Sequence, residues 1–216
     1  MNSMRIVAIS LGGLTQLTYK ASSVETGIYK HPVDGPVEVF AEGLLGDLQV
    51  DRKHHGGVDK AVYVYSIENR DYWAEHRKES AYPPGHFGEN LTVTDMPDER
   101  IHIGDVFSVG ACLMQVTQPR VPCFKLGIKF GDPGFVADFL TSGRTGFYLR
   151  VLKPGVIQAG DAIQWLSGHP DPVSIRDAMR ALVKGPQQQD WIRKVLAQEA
   201  LSEAWRQDLT ERQTID

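Results

Sequence analysis

Cysteine is scarce in this 216-residue chain, in which only Cys112 and Cys123 are present. Two cysteines are too few for a disulfide scaffold, so we exclude the small disulfide-stapled secreted proteins and expect a reducing, cytoplasmic compartment. The two residues form no CxxC pair and no closely spaced histidine pair follows them, which argues against a structural zinc site. In ACLMQVTQ, Cys112 shares a strand face with Met114 and Val116, which predicts a core position for it.

Long apolar runs and an excess of positive charge are also missing. Gly12 and Gly13 interrupt the apolar start of the chain, so we interpret it as a strand entering a turn rather than a signal peptide. No later run is long enough to cross a bilayer. The 23 Lys and Arg residues are outnumbered by 27 Asp and Glu, a formal net charge of −4. We therefore expect neither general nucleic-acid binding nor membrane attachment, although a local basic pocket is compatible with this balance.

The common catalytic and cofactor motifs are absent as well. The sequence has no GxSxG, no phosphate-binding P-loop, no HExxH and no GxGxxG after a strand. It also has no flavin, haem or iron–sulfur motif. These absences argue against the familiar hydrolase, nucleotide-binding and zinc-protease classes, and any chemistry must come from less common stretches.

Up to about residue 168 the pattern is mostly that of strands, because short apolar runs alternate with turn residues. The predicted strands are RIVAIS, VEVF, AVYVYS, NLTV, DVFSVG, CLMQVTQ, GFYLRVL and AIQWL. Two helices interrupt them, SIENRDYWAEH with Ser66 as N-cap and GFVADFLTSG ending at Gly143. Many short strands with dense turns predict a mostly β fold closed into a barrel. No βαβ rhythm is visible, so a Rossmann-type fold is not favoured.

The composition changes at SGHPDP, and we place a boundary there. We predict a β-barrel domain over residues 1–168 and a small three-helix appendage over residues 169–216. The predicted helices are SIRDAMRALVK, QQDWIRKVLAQ and SEAWRQDLTERQ, the first with Ser174 and Asp177 in capping-box spacing. The appendage is too short to bury much core alone, so we expect it to lean on the barrel or on a partner chain.

Cys123 lies in the stiff, basic stretch QPRVPCFKLG. Pro119 and Pro122 restrict the backbone, while Arg120 and Lys125 supply the positive charge that favours a thiolate, which is both a nucleophile and a soft metal ligand. The alternative is a small apolar filler at a turn, since free cysteine is among the most buried residue types. The local sequence does not separate these two interpretations.

The stretch DRKHHGGVDK suggests an anion site. Gly56 and Gly57 let the backbone approach a ligand, Lys60 adds positive charge, and His55 is a candidate ligand or acid–base group. The alternative, a charged hairpin turn, is the more common outcome for a glycine pair between strands.

Two further stretches contain polar residues that we regard as candidate site residues. In GHFGENLTV, Glu89 and Asn90 lie on a loop from which a side chain can point into a barrel mouth, or they simply bond their own turn. In GFYLRVL, Arg150 interrupts an apolar strand, so it lies either on a solvated face or beside an anionic partner.

Taken together and in this order, several stretches resemble the MOSC domain family, named for the C-terminal domain of molybdenum cofactor sulfurases. They are GLLGDLQVDRKHHGGVDKAV, FGENLTV, IGDVF, VTQPRVPCFKL and TGFYLRV. The HGG and GEN turns are uninformative singly, whereas the ordered set with one cysteine in QPR-x-PC is specific. The resemblance covers most of the chain and implies a barrel-like β fold, with a three-helix C-terminal extension in some members.

The resemblance also implies a molybdenum cofactor, in which a pterin dithiolene with a terminal phosphate holds the metal, and which purified protein can lose. Cys123 then takes the role of the catalytic, metal-binding cysteine. The remaining positions assigned to the cofactor are His55, Gly56, Gly57, Lys60, Glu89, Asn90, Arg120 and Arg150.

For function, the resemblance implies an oxidoreductase that reduces N-hydroxylated small molecules such as hydroxylaminopurine-type base analogues. Electrons would come from an external donor of the flavin reductase type. The main alternative is a sulfur carrier that holds a persulfide on Cys123, delivered by a separate cysteine desulfurase. A module that binds the cofactor without chemistry is a third. We expect no aminotransferase-like domain in this chain, so it is not itself a desulfurase, and the oligomeric state stays open.

Overall fold

A twisted eight-stranded sheet dominates the computed structural model, which describes residues 3–20, 22–50, 56–183 and 185–213. The sheet order is β13-β9-β10-β11-β7-β8-β1-β4. These strands are β1 Arg5–Gly12, β4 Lys30–Val33, β7 Val62–Ser66, β8 Leu91–Thr94, β9 Val106–Val109, β10 Cys112–Pro119, β11 Phe147–Lys153 and β13 Ile163–Ser167. Two smaller sheets contain β5 Val37–Phe40, β6 Gly43–Leu44 and β12 Gly155–Ile157, and the hairpin of β2 Thr15–Tyr19 and β3 Ser22–Thr26.

Every stretch predicted as a strand contains one. The strongest signals, such as CLMQVTQ, form β10, whose side chains alternate between buried and half-buried at its start. The short or polar strands β2, β3, β4, β6 and β12 were not predicted, because their residues carry little hydrophobic alternation.

The predicted closed barrel is wrong, because the large sheet has two ends, β13 and β4. The start of β1 does approach β13, through a bridge between Arg5 and Ala162 and a bond from the Ile163 N–H to the Met4 carbonyl at 2.9 Å. Farther along, β4 occupies that same edge of β1. Since the edge is shared, β1 and β13 form no continuous ladder.

The statement that the chain lacks a βαβ rhythm is also wrong at one place. Strands β7 and β8 pair in parallel, with helix α1, Ile67–Arg77, between them. All five residues of β7 are buried, as expected for a parallel strand covered on both faces. Helix α1 begins as predicted, with the Ser66 hydroxyl accepting a bond from the Asn69 N–H at 3.2 Å.

Five further α-helices occur in the described residues. They are α2 Phe124–Lys129, α3 Phe135–Ser142, α4 Ile175–Ala178, α5 Gln188–Leu196 and α6 Glu203–Gln213, with 3-10 turns at Val58–Lys60 and Met179–Ala181. Gly143 ends α3 with a φ of 65°, as predicted. Ser174 caps α4 by accepting a bond from the Asp177 N–H at 3.0 Å. None of the helices described here has the length and apolar character needed to span a bilayer.

Two clusters of buried apolar residues hold these layers together. The larger one joins the sheet to the C-terminal helices, for example Phe107 and Val116 of the sheet with Ile192 of α5 and Leu209 of α6. The smaller one is aromatic and lies where α1 and α3 pack on β7. The C-terminal helices thus pack on the sheet, as expected. The division of the chain at residue 168 stays a prediction.

Candidate functional site

A pocket opens beside the end of β10, where the chain leaves the strand toward α2. It is lined by the loop after β3, the segment after β6, the 3-10 turn before β7 and the start of α2. Its charged and polar lining residues are Thr26, Lys30, Asp47, Gln49, Lys60, Tyr63, Asn90, Arg120, Cys123, Lys125 and Tyr148.

Cys123 is held at the N-terminal end of α2. Its backbone is extended, with φ −128° and ψ 172°, and its carbonyl accepts the Leu126 N–H at 2.9 Å. The residue is half-buried and lines the pocket, whereas Cys112 is 1% exposed in the sheet core as predicted. Burial raises the pKa of Cys112. The structure thus separates an accessible thiol at the pocket from an inert one in the core.

Arg120 is the most unusual residue of the pocket. It is only 5% exposed, and its Nη1 atom has no hydrogen-bond partner within the described part of the chain. The guanidinium lies 5.5 Å from the ring centroids of both Tyr63 and Phe139. Burial works against its charge, but the neighbouring Tyr63, Tyr148 and Cys123 leave its pKa raised, so it remains a cation. A buried, charged donor without an acceptor is costly unless a ligand completes it.

The other charges of the lining are mostly positive. Among the lining residues that the structure describes, four cationic side chains face a single carboxylate, that of Asp47, which forms an ion pair with Lys30. Burial lowers the pKa of Lys30, and Asp47 opposes that effect. The Lys125 Nζ atom donates to the Glu25 carbonyl at 3.1 Å, which ties α2 to the β2–β3 hairpin. This balance favours an anionic ligand in an otherwise acidic protein.

Asn90 lines the pocket, but both the oxygen and the nitrogen of its side-chain amide are hydrogen-bonded to other groups of the protein. Its Oδ1 accepts the Tyr63 N–H at 3.1 Å, and its Nδ2 donates to Asp47 Oδ2 at 2.9 Å and to the Ser10 carbonyl at 3.3 Å. It therefore joins β7, β1 and the loop of Asp47, and it shapes one wall of the pocket.

Glu89 is not among the lining residues. It is fully buried, and its carboxylate accepts the N–H groups of Gly85 and Phe87 at 2.7 and 3.0 Å and the Thr92 hydroxyl at 2.9 Å. Burial raises its pKa. The carboxylate thus closes its own turn, the alternative outcome for this stretch.

The described part of the HGG stretch does not line the pocket, but Lys60, which follows it in the chain, does. His55 lies outside the described residues. Gly57 adopts a φ of 91°, which favours glycine, and its N–H bonds Gln49 Oε1 at 3.3 Å. Neither Gly56 nor Gly57 lines the pocket, but the 3-10 turn that they lead into ends at Lys60, which does.

Arg150 is not brought to the pocket. Its Nη2 atom bonds Asp59 Oδ1 at 3.0 Å and the Ala200 carbonyl at 3.0 Å. Of the two outcomes open for this residue, the anionic partner is the one observed, and that partner is a protein carboxylate.

Sequence reasoning missed several lining residues. Asp47 lies in the GLLGDL segment of the family-like stretches, and Tyr148 in TGFYLRV, so the ordered motifs already contained these signals. Lys30 had no such signal, because it reaches the pocket only through the pairing of β4 with β1. A stacked pair, Tyr19 and Phe124 with centroids 4.4 Å apart, next to Cys123 was likewise unexpected.

Comparison with known proteins agrees with this architecture. The MOSC domain matches residues 51–164, from the HGG stretch to β13. The chain belongs to the MOSC family. The chain is similar to protein YflK of Bacillus subtilis, 38% identical over 93% of this chain and 90% of its own length. Protein YiiM of Escherichia coli is 32% identical over 87% of this chain and 84% of its own.

Solved structures of MOSC proteins share the whole fold, including the C-terminal helices. The crystal structure of YiiM from Geobacillus stearothermophilus superposes with a TM-score of 0.81 at 31% identity, covering 98% of this chain and all of that one. YiiM from Escherichia coli gives a TM-score of 0.77 at 27% identity, over 97% and 92%. A Gibberella moniliformis protein named "Reductase" is 41% identical over 66% of this chain, which spans only 26% of that protein.

Proposed function

We propose that this MOSC protein binds the molybdenum cofactor and reduces N-hydroxylated compounds, with Cys123 as the protein ligand of the metal. The observation that carries this proposal is the juxtaposition of a half-buried thiol and a buried guanidinium whose Nη1 atom lacks a partner among the described residues. The first is a soft ligand, and the second is a donor that awaits an anion.

The residues of the pocket fit this cofactor. Its phosphate and dithiolene are anionic, and the cationic side chains that would face them are those of Arg120, Lys60 and Lys125. A cofactor that brings its own sulfur ligands needs only one from the protein, which Cys123 provides. When bound, the molybdenum centre supplies the two electrons that break the N–O bond.

The protein's own contribution is binding and orientation. The overall reaction is R–NHOH + 2 H⁺ + 2 e⁻ → R–NH₂ + H₂O. Arg120 balances the negative charge next to Cys123, and the side chains of Ile28, Leu48 and Val50 form the apolar part of the wall. Cys123 is accessible enough for a substrate to approach. The electrons come from an external donor, for which we propose a flavin reductase type. The name of the Gibberella relative supports a reductase, although most of that protein lies outside the matched region.

Metal analysis tests the proposal directly. Protein purified without oxygen from a cofactor-competent host should contain molybdenum and reduce 6-hydroxylaminopurine with dithionite. The Cys123→Ser variant should lose both properties, whereas Cys112→Ser, a matched control at the buried cysteine, should keep them. A wild-type protein without molybdenum, or a Cys123→Ser variant with as much metal as wild type, contradicts the proposal.

The half-buried position of Cys123 also favours a second candidate, a sulfur carrier, because a persulfide must reach an acceptor. Mass spectrometry under non-reducing conditions distinguishes the two functions. A gain of one sulfur on Cys123 after incubation with a cysteine desulfurase and cysteine, removed by dithiothreitol, supports the carrier. An unmodified thiol under the same conditions rejects it.

A further inference from the structure

The start of helix α6 is bonded to both segments that carry cations into the Cys123 pocket. At the end of β10, the Ser202 N–H donates to the Thr117 carbonyl at 3.3 Å and the Ser202 hydroxyl to Gln118 Oε1 at 2.6 Å. At the 3-10 turn, the Glu203 N–H donates to Asp59 Oδ2 at 3.1 Å. The C-terminal helices therefore contact the two segments that carry Arg120 and Lys60, although they do not line the pocket themselves.

Asp59 takes part in most of the contacts that link these segments. Its Oδ1 is paired with Arg150 Nη2 at 3.0 Å, and its carbonyl accepts the Thr117 hydroxyl at 2.7 Å. It directly precedes Lys60, which lines the pocket. On the other side, Gln118 lies two residues before Arg120. The Thr117 hydroxyl thus joins the two segments to each other, while the Asp59 carboxylate and the Ser202 hydroxyl join them to the start of α6.

The physical need for these contacts follows from geometry. Lys60 and Arg120 line the same pocket from two different segments, so one anion can contact both only if those segments keep a fixed spacing. The 3-10 turn that carries Lys60 is only three residues long and follows Gly57, so its own hydrogen bonds do little to hold it. The side chain of Asp59 is 25% exposed and that of Arg150 28%, so their pairing is partly shielded from solvent.

We propose that Asp59 is a positioning residue, which together with Arg150 and the N-terminal end of α6 fixes Lys60 relative to Arg120. The C-terminal helices are then part of the anion site although none of their side chains lines it. This rests on the proposed function only in that the natural anion is the cofactor's phosphate. In this proposal Arg150 acts on the pocket indirectly, by pairing with Asp59, and does not contact the anion.

The test uses the full chain without cofactor and inorganic pyrophosphate as the probe. Iodoacetamide alkylates Cys123 selectively, because Cys112 is buried, and pyrophosphate in the pocket should slow that reaction. Asp59→Asn and Arg150→Met should each need about tenfold more pyrophosphate for half protection, the equivalent of about 1.4 kcal/mol. Arg150→Lys, which keeps the charge, should recover part of the loss.

The matched control is Asp208→Asn, which breaks an exposed carboxylate–guanidinium pair with Arg212 on the same C-terminal helix. It should bind pyrophosphate as wild type does. Melting temperatures of all variants are measured in parallel. If Asp59→Asn does not fold, the comparison of Arg150→Lys with Arg150→Met decides the outcome in its place.

Two outcomes overturn the positioning role. The positioning role is rejected if pyrophosphate protects Cys123 from alkylation in Asp59→Asn and Arg150→Met at the same concentration as in wild type. The proposed function is unaffected by that result if wild-type protein contains molybdenum. If wild type itself is not protected, there is no anion site for Asp59 to support and the positioning role is rejected, while the molybdenum content of wild type still tests the proposed function separately.

Discussion

The two walls of the Cys123 pocket differ in how completely their polar groups are satisfied. On one wall, Asn90 and Asp47 bond to each other and to neighbouring backbone or lysine groups. On the other, Arg120 is equally buried, yet its Nη1 atom has no partner in the described chain. The comparison teaches that burial and polarity alone do not identify a binding residue. A saturated group holds the fold, and an unsaturated one is available to a ligand.

The largest effect is expected on the saturated wall. Replacing Asn90 with alanine leaves the Tyr63 N–H and one Asp47 oxygen without their partner, so the free energy of unfolding should fall by about 3–5 kcal/mol. Urea denaturation measures it. Gln164→Ala, at an exposed amide side chain on β13, is the control and should change stability by less than about 0.5 kcal/mol. A stable Asn90→Ala protein would remove the distinction between the walls.

On the unsaturated wall, we expect a substitution of Arg120 to weaken anion binding and to leave stability nearly unchanged. Arg120→Met should keep the melting temperature within a few degrees, because the Nη1 donor that it removes has no acceptor among the described residues and methionine still fills the space beside Tyr63 and Phe139. It should weaken pyrophosphate protection of Cys123 by about 10- to 100-fold, the range expected for a bond to a charged group. Arg100→Met, at an arginine that is mostly exposed, is the control. Unfolding of Arg120→Met with unchanged protection by pyrophosphate in the remaining folded protein would contradict the comparison.

A smaller effect on stability is expected from a change of pH, because a buried carboxyl group, Asp98, lies behind the backbone of Arg120. The Arg120 N–H bonds the Gly146 carbonyl, and the Gly146 N–H bonds the buried Asp98 at 2.7 Å. Burial raises the pKa of Asp98 to about 7, only partly offset by the bonds from Asn69 and Gly146. The folded protein therefore holds a proton that the unfolded chain releases at a lower pH, so stability is greatest below the unfolded pKa and falls as pH rises to about 7.

Denaturant unfolding of wild type and Asp98→Asn between pH 5 and pH 8 measures this effect as the difference between the two proteins, which should change by about 2 kcal/mol. The comparison is needed because burial lowers the pKa of His86 to about 4, so His86 changes stability in the opposite direction as the pH rises. The Asp98→Asn variant cannot titrate at this position, so it should lose that part of the pH dependence. An identical pH profile for the variant and wild type would show that groups other than Asp98 are responsible.

The part of the fold that depends on local pattern was predictable from the sequence. The alternation in CLMQVTQ predicts β10, and the cap at Ser66 predicts where α1 begins. Barrel closure was not predictable, because it depends on whether β4 or β13 occupies one edge of β1. Helix α2 was missed because six residues after Pro122 carry too little periodicity to signal a helix.

The candidate site was predictable to the extent that its residues lie in the ordered motifs. Cys123, Arg120, Asn90 and Lys60 do line one pocket. Glu89 and Arg150 do not, since a carboxylate or guanidinium in a motif is as easily used by the protein's own groups as by a ligand. Which of these happens is decided by contacts between residues that are distant in sequence, such as Arg150 with Asp59.

The β2–β3 hairpin has a consequence for how this family can diversify. In the described residues it pairs with no strand of the large sheet, and it is held near Cys123 by the stacking of Tyr19 on Phe124 and by the bond from Lys125 to Glu25. Lengthening or shortening it breaks no ladder of the main sheet. The wall beside Cys123 can therefore change in length at little expense to the folding of the main sheet.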